Sequence, residues 1–122
     1  MNKGEIIIYE TKDGETSIDV RMEEETVWLT QEQMVDLFQT TKQNVSLHIN
    51  NVYKENELEK NSTVKEYLTV QNEGRRLIRR NVKYYNLDVI ISVGYRVKSQ
   101  RGTQFRIWAN SVLKRYLTQG FA

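Results

Sequence analysis

The chain has 122 residues, with 18 Lys and Arg against 16 Asp and Glu, one His, and neither Cys nor Pro. That length suits one domain with a real core, and the missing cysteines exclude disulfides, cysteine-based zinc sites and thiol catalysis. The net charge of +2 conceals a split: residues 1–73 carry seven basic and 15 acidic side chains, whereas residues 74–122 carry 11 basic ones and only Asp88 as an acid.

The N-terminal part reads as a β-hairpin. Ile6-Ile7-Ile8-Tyr9 is β-branched and apolar, Asp13-Gly14 is a turn signal, and Ile18, Val20 and Met22 alternate with Asp19 and Arg21. Val27-Trp28-Leu29 is a third short strand. Neighbouring strand residues point to opposite faces, so Glu23-Glu24-Glu25 reads as a solvated edge and not as a metal site.

Thr30-Gln31-Glu32-Gln33 spells a capping box, which predicts a helix starting after Thr30 with Met34, Leu37 and Phe38 on its apolar face. Thr41 caps a second helix, in which Val45, Ile49 and Val52 recur at helical spacing. Two helices of this length with so tight a turn have the proportions of a helix-turn-helix over 31–50, whose second helix can enter the DNA major groove. Gln39 stands where Gly is commonest in such a turn, so the turn either avoids positive φ or bears its cost. His48 takes a position that is often aliphatic. As the only histidine it lacks Cys or His co-ligands, and helix packing or DNA-flanking explains it better than chemistry does.

Off the core face of the second helix stand Thr41, Lys42, Gln43, Asn44, Ser46, Leu47 and Asn50. No acid occurs from Thr40 to Lys54, inside a half-chain that is otherwise acidic. Gln and Asn suit adenine edges, and Lys suits guanine or phosphate.

Extended segments follow. Val64–Val70 is one strand, Gln71-Asn72-Glu73-Gly74 a turn, and Leu77–Tyr85 the return strand. This hairpin carries Arg75, Arg76, Arg79, Arg80 and Lys83. A basic hairpin after a helix-turn-helix describes a winged helix, with arginine forks for the phosphate backbone. Asn86 or Asp88 then opens a buried helix over Leu87, Val89, Ile90, Ile91, Val93 and Val97. Gly102 ends that unit, and Thr103 caps a last helix with Phe105, Trp108, Val112 and Tyr116 along one side.

The segments VWLTQEQMVDLFQTTKQNVSLHINNVYKENEL, VQNEG and YYNLDVIISVGYRVKSQRGTQFRIWANSVLKRYL resemble the N-terminal region of the virulence-associated RhuM family of bacterial proteins. The resemblance runs over essentially the whole chain. It implies a bacterial cytoplasmic protein from mobile or pathogenicity-associated loci, and a longer chain of which this is the N-terminal domain. It carries no reaction and no catalytic residue; members are described as uncharacterised or as DNA-binding.

The expected fold is α+β: an N-terminal β-hairpin, a winged helix-turn-helix and two C-terminal helices. The expected function is double-stranded DNA binding in transcriptional regulation, as a homodimer on a two-fold site. Candidate dimer surfaces are the hairpin edge and the Phe105/Trp108/Val112/Tyr116 face. The alternatives are a protein-interaction or oligomerisation module, and, more weakly, a carboxylate-and-metal enzyme. No catalytic residue, cofactor, metal or small-molecule ligand is evident. Ile6–Tyr9 is too short to span a membrane, and Met1-Asn2-Lys3-Gly4-Glu5 is unlike a signal peptide.

Overall fold

The computed structural model describes residues 4–119; Met1-Asn2-Lys3, part of the signal-peptide reading, and the closing Gly120-Phe121-Ala122 lie outside them. Five strands, β1 (Glu5–Glu10), β2 (Ser17–Glu23), β3 (Thr26–Thr30), β4 (Val64–Glu73) and β5 (Arg76–Asn86), form one antiparallel sheet in the order β1-β2-β3-β5-β4. The helices among the described residues are α1 (Gln31–Phe38), α2 (Lys42–Lys54), the short α3 (Lys60–Thr63), α4 (Leu87–Arg96) and α5 (Gln100–Gln119). The fold is α+β.

Strand alternation divides the sheet as expected. Tyr9, Ile18, Val20, Met22, Val27, Leu29 and Tyr85 are buried against Met34, Leu37 and Phe38 of α1, Val45 and Ile49 of α2, Val89, Ile90 and Val93 of α4, and Phe105 of α5. The opposite face carries Arg21, Glu23, Lys65, Tyr67 and Tyr84. Arg21 lies 4.3 Å over the Tyr67 ring, and Glu23 accepts hydrogen bonds from Lys65 and Tyr67. Burial alone would raise the Glu23 pKa, but hydrogen bonds from Lys65, Tyr67 and Arg21 bring it down to about 2. This cluster fastens the base of the β4–β5 hairpin to β2.

The starts of α1, α2 and α4 follow the sequence, whereas that of α5 does not. Thr30 and Gln33 form the reciprocal capping box, with Gln33 N–H donating to Thr30 Oγ1 at 3.1 Å and Thr30 N–H to Gln33 Oε1 at 2.9 Å. Thr41 caps α2 and Asn86 caps α4.

Helix ends do not follow so simply. Gln39, Asn56 and Lys98 all have positive φ, of 53°, 59° and 56°. After each, the next N–H closes back onto a carbonyl five residues earlier: Thr40 to Val35, Glu57 to Val52 and Ser99 to Gly94. These are Schellman closures with a non-glycine residue in the left-handed position. The turn after Phe38 therefore bears positive φ at Gln39 instead of avoiding it.

Four expectations need correction. The turn of the β4–β5 hairpin is the two-residue Gly74-Arg75, because Gly74 supplies the positive φ (66°); Gln71-Asn72-Glu73 belong to the strand. Gly102 does not end a helix and Thr103 does not cap one. The break falls at Val97-Lys98-Ser99, where Ser99 Oγ accepts from Arg101 N–H at 3.2 Å. The acidic run is solvated only in part: Glu24 and Glu25 are exposed in a positive-φ turn, whereas Glu23 is largely covered and reaches Lys65 at 2.7 Å, as Glu24 also does. The Phe105/Trp108/Val112/Tyr116 face packs into the core, as the Tyr9–Phe105 and Tyr9–Trp108 ring contacts at 5.2 and 4.8 Å show, so it is no dimer surface.

The acidic and basic halves meet in part. Arg96 pairs with Glu55 and Glu57, and Arg101 reaches Asp13, Thr16 and the Leu37 carbonyl, pinning α5 to the β1–β2 turn and to α1. The hydrogen bond from Thr11, with those from Glu15 N–H and Arg101, brings the Asp13 pKa down to about 2. Among the described residues no helix is long and apolar enough to cross a membrane.

Candidate nucleic-acid interface

The cap at Thr41 and the closure at Gln39 hold α1 and α2 across a three-residue turn, and Val45, Ile49 and Val52 face α2 inward. The opposite stripe of α2 is left to solvent. Lys42, Gln43, Leu47 and Asn50 are exposed on it, as is the capping Thr41. Asn44 and Ser46 are half-buried. Asn44 is occupied locally, since its N–H donates to Thr41 Oγ1 at 3.1 Å and its Nδ2 to Thr40 Oγ1 at 2.9 Å. A shallow depression of about 420 Å³ runs along this stripe, bounded by Gln31, Lys42, Gln43, Ser46, Leu47 and Asn50.

β3 pairs with β5 only at Tyr84–Asn86, so the rest of the β4–β5 hairpin projects as a two-stranded arm. Where β5 leaves β3, its free edge lies beside α1 and α2. A groove of about 830 Å³ opens there, and it brings Lys42 together with Arg80, Asn81 and Lys83, next to Gln31 and Glu32. Three of the residues singled out in the sequence thus converge from elements about forty positions apart.

The arm does not gather all its cations on one face. Pairing puts Arg76 and Arg80 on the face that carries Glu73, and Arg80 Nη2 lies 3.3 Å from Glu73 Oε2. Arg79 and Lys83 alternate onto the other face, the one the helices cover elsewhere, together with exposed Leu68, Val70 and Leu77. Arg75 sits in the turn. Arg75, Arg76, Arg79 and Lys83 are exposed and have no ion pair among the described residues.

Among the groove residues not singled out in the sequence, Gln31 and Asn81 bear on the site. Gln31 opens α1 and donates to the Lys42 carbonyl at 3.3 Å, bridging the two helices at the mouth of the groove. Its place at the first position of a capped helix was the available signal. Asn81 offered none, since an Asn in a basic strand looks like any solvated residue.

The family model described as the Virulence protein RhuM family matches residues 62–122, half of the chain, and the chain belongs to that family. The matched stretch takes in the β4–β5 arm, α4 and α5, while α1 and α2 precede it. No curated protein and no solved structure matches the chain.

Proposed function

We propose that this RhuM-family chain is a sequence-specific DNA-binding domain that reads the major groove with α2 and grips phosphates with the β4–β5 arm. The observation that carries the reading is the convergence of Lys42, Arg80 and Lys83 on one groove beside the acid-free, solvent-facing stripe of α2. The order β3-α1-α2-α3-β4-β5, with β5 between β3 and β4 in the sheet, supports a winged helix-turn-helix reading with the arm as wing. On this reading β1 and β2 extend the winged-helix sheet, and α4 closes its core. The chain acts in the bacterial cytoplasm as a regulator of transcription and binds a two-fold site as a homodimer.

The test begins by selecting a preferred site from random duplexes. Gln43→Ala and Leu47→Ala are then compared on that site and on a scrambled duplex. If Gln43 pairs with a base, its loss costs about 1–3 kcal/mol on the preferred site and little on the scrambled one. Equal losses on both duplexes, or none on either, remove α2 as the reader. Light scattering that finds a monomer both free and on the duplex removes the dimer.

A second reading, an interaction or oligomerisation module, is favoured by exposed Leu68, Val70 and Leu77 on one face of the arm, with Leu47 on α2. It predicts self-association insensitive to salt, whereas phosphate contacts weaken steeply as salt rises.

A further inference from the structure

A third cavity lies away from the proposed reading stripe, between α2, α4 and the start of α5. It holds about 720 Å³, within the range of small-molecule sites. His48, Tyr95, Lys98, Ser99, Thr103 and Arg106 line it, and no carboxylate does. We propose that this cleft binds a small phosphorylated ligand carrying a planar ring, of about nucleoside-monophosphate size.

Four observations support the site independently of the DNA reading. First, Lys98 and Arg106 make no ion pair among the described residues, so two cations face the cleft uncompensated. Arg96 also lines it, but Glu55 and Glu57 meet that charge. Second, Lys98 holds a left-handed backbone (φ 56°) at a helix end that glycine would accept without strain. The same closure ends α1 at Gln39 and α2 at Asn56, so what is particular to Lys98 is that its side chain borders the cavity. Third, His48 Nδ1 is the one buried side-chain nitrogen or oxygen among the described residues without a hydrogen-bond partner. Fourth, the Tyr95 ring is 84% exposed at the cavity, a flat apolar surface on which a ligand ring can stack.

The ligand chemistry follows from that set. A phosphate answers two free cations and the Ser99 and Thr103 hydroxyls, and a planar ring answers Tyr95. His48 lies about 100° round α2 from Leu47, so the cleft opens on the flank of the helix and not on the stripe assigned to bases.

The same phosphate chemistry could come from a DNA backbone, and the experiment separates the two sources. His48 is the chain's only histidine, so its ring signals in NMR need no assignment. The intact 122-residue chain is titrated with AMP, GMP, CMP and UMP, with adenosine and inorganic phosphate as the two halves, and with a duplex. At least one monophosphate is expected to shift the His48 signals, saturating below about 1 mM and binding at least roughly tenfold tighter than either half. Lys98→Gly, whose backbone is compatible with the turn, is expected to weaken that binding about tenfold, and Arg106→Ala similarly. The proposal is overturned if no monophosphate saturates, if phosphate alone binds as well, or if Lys98→Gly binds like the parent. It is equally overturned if the duplex moves the His48 signals and no monophosphate does.

Discussion

Gly94 of α4 and Gly102 of α5 touch: a Cβ built on Gly94 would lie 3.3 Å from the Gly102 Cα and 3.1 Å from two carbons of the Phe38 ring. Neither neighbour can yield easily, since one is backbone and the other a buried core ring. Gly94→Ala should therefore destabilise the fold by about 1–3 kcal/mol, despite the better helix propensity of alanine. Gly102→Ala meets the Gly94 Cα at 3.3 Å but Phe38 only at 3.5 Å, and should cost less. Thermal unfolding of the two variants checks the order.

The left-handed helix ends make the opposite kind of prediction. Gln39 has φ 53° and ψ 52°, and its side chain is exposed. Glycine there removes the Cβ strain while loosening the unfolded chain, so Gln39→Gly should stabilise by about 0.5–1 kcal/mol. Denaturant unfolding should show a higher midpoint with an unchanged slope. A lower midpoint would mean that the Gln39 side chain makes a contact worth more than the strain.

Acid should find the Glu23 cluster. Its carboxyl drops from an ordinary value of 4.5 to about 2 on folding, held down against its burial by Lys65, Tyr67 and Arg21. A depressed carboxylate stabilises the fold above its unfolded pKa and loses that contribution as pH falls from about 4.5 towards 2. Glu23→Gln should thus be less stable than the parent at pH 7, and the gap in Tm should narrow through that window. Asp13 titrates over the same range, but it is present in both proteins and cancels in the difference. A gap that stays constant down to pH 2 would remove the ion pairs as its source.

What the sequence disclosed and what it hid divide along physical lines. Thr30 and Thr41 were legible as caps, and Asn86 as one of two candidates with Asp88, because a cap is a local bond between one side chain and a backbone N–H two or three residues on. The helix ends were not, because Gln39 and Lys98 take a left-handed conformation that their residue types rarely adopt, and only Asn56 is of a type that tolerates it readily. Gly102 misled for a tertiary reason. It reads as a terminator, yet its use is to let α5 approach α4. At the candidate interface, the exposed stripe of α2 followed from helical period alone. The division of the arm's arginines between two faces follows from two-residue alternation once the turn is placed at Gly74-Arg75. The meeting of Lys42 with Arg80 and Lys83 depends on the β3–β5 pairing, which a single sequence does not encode locally.

That division sharpens the expected role of the arm. If all its cations touched phosphate, any two would count alike. Arg80 is drawn towards Glu73 on one face, with Arg76 beside them in register, whereas Arg79 and Lys83 on the other face have no such partner. Arg80 and Lys83 both line the groove that reaches Lys42, but only Lys83 does so without a carboxylate partner among the described residues. The Arg79→Ala/Lys83→Ala double variant should therefore flatten the slope of log K against log salt by nearly two contacts, about 0.9 each. Arg76→Ala/Arg80→Ala should flatten it by less than one, because freeing Glu73 offsets part of the lost attraction. Affinity should fall on preferred and scrambled duplexes alike, since phosphates carry no sequence. Equal flattening by both pairs would mean that the arm lies edge-on against the backbone. No flattening by either would assign these side chains to another partner, and the apolar face of Leu68, Val70 and Leu77 would then be the surface to follow.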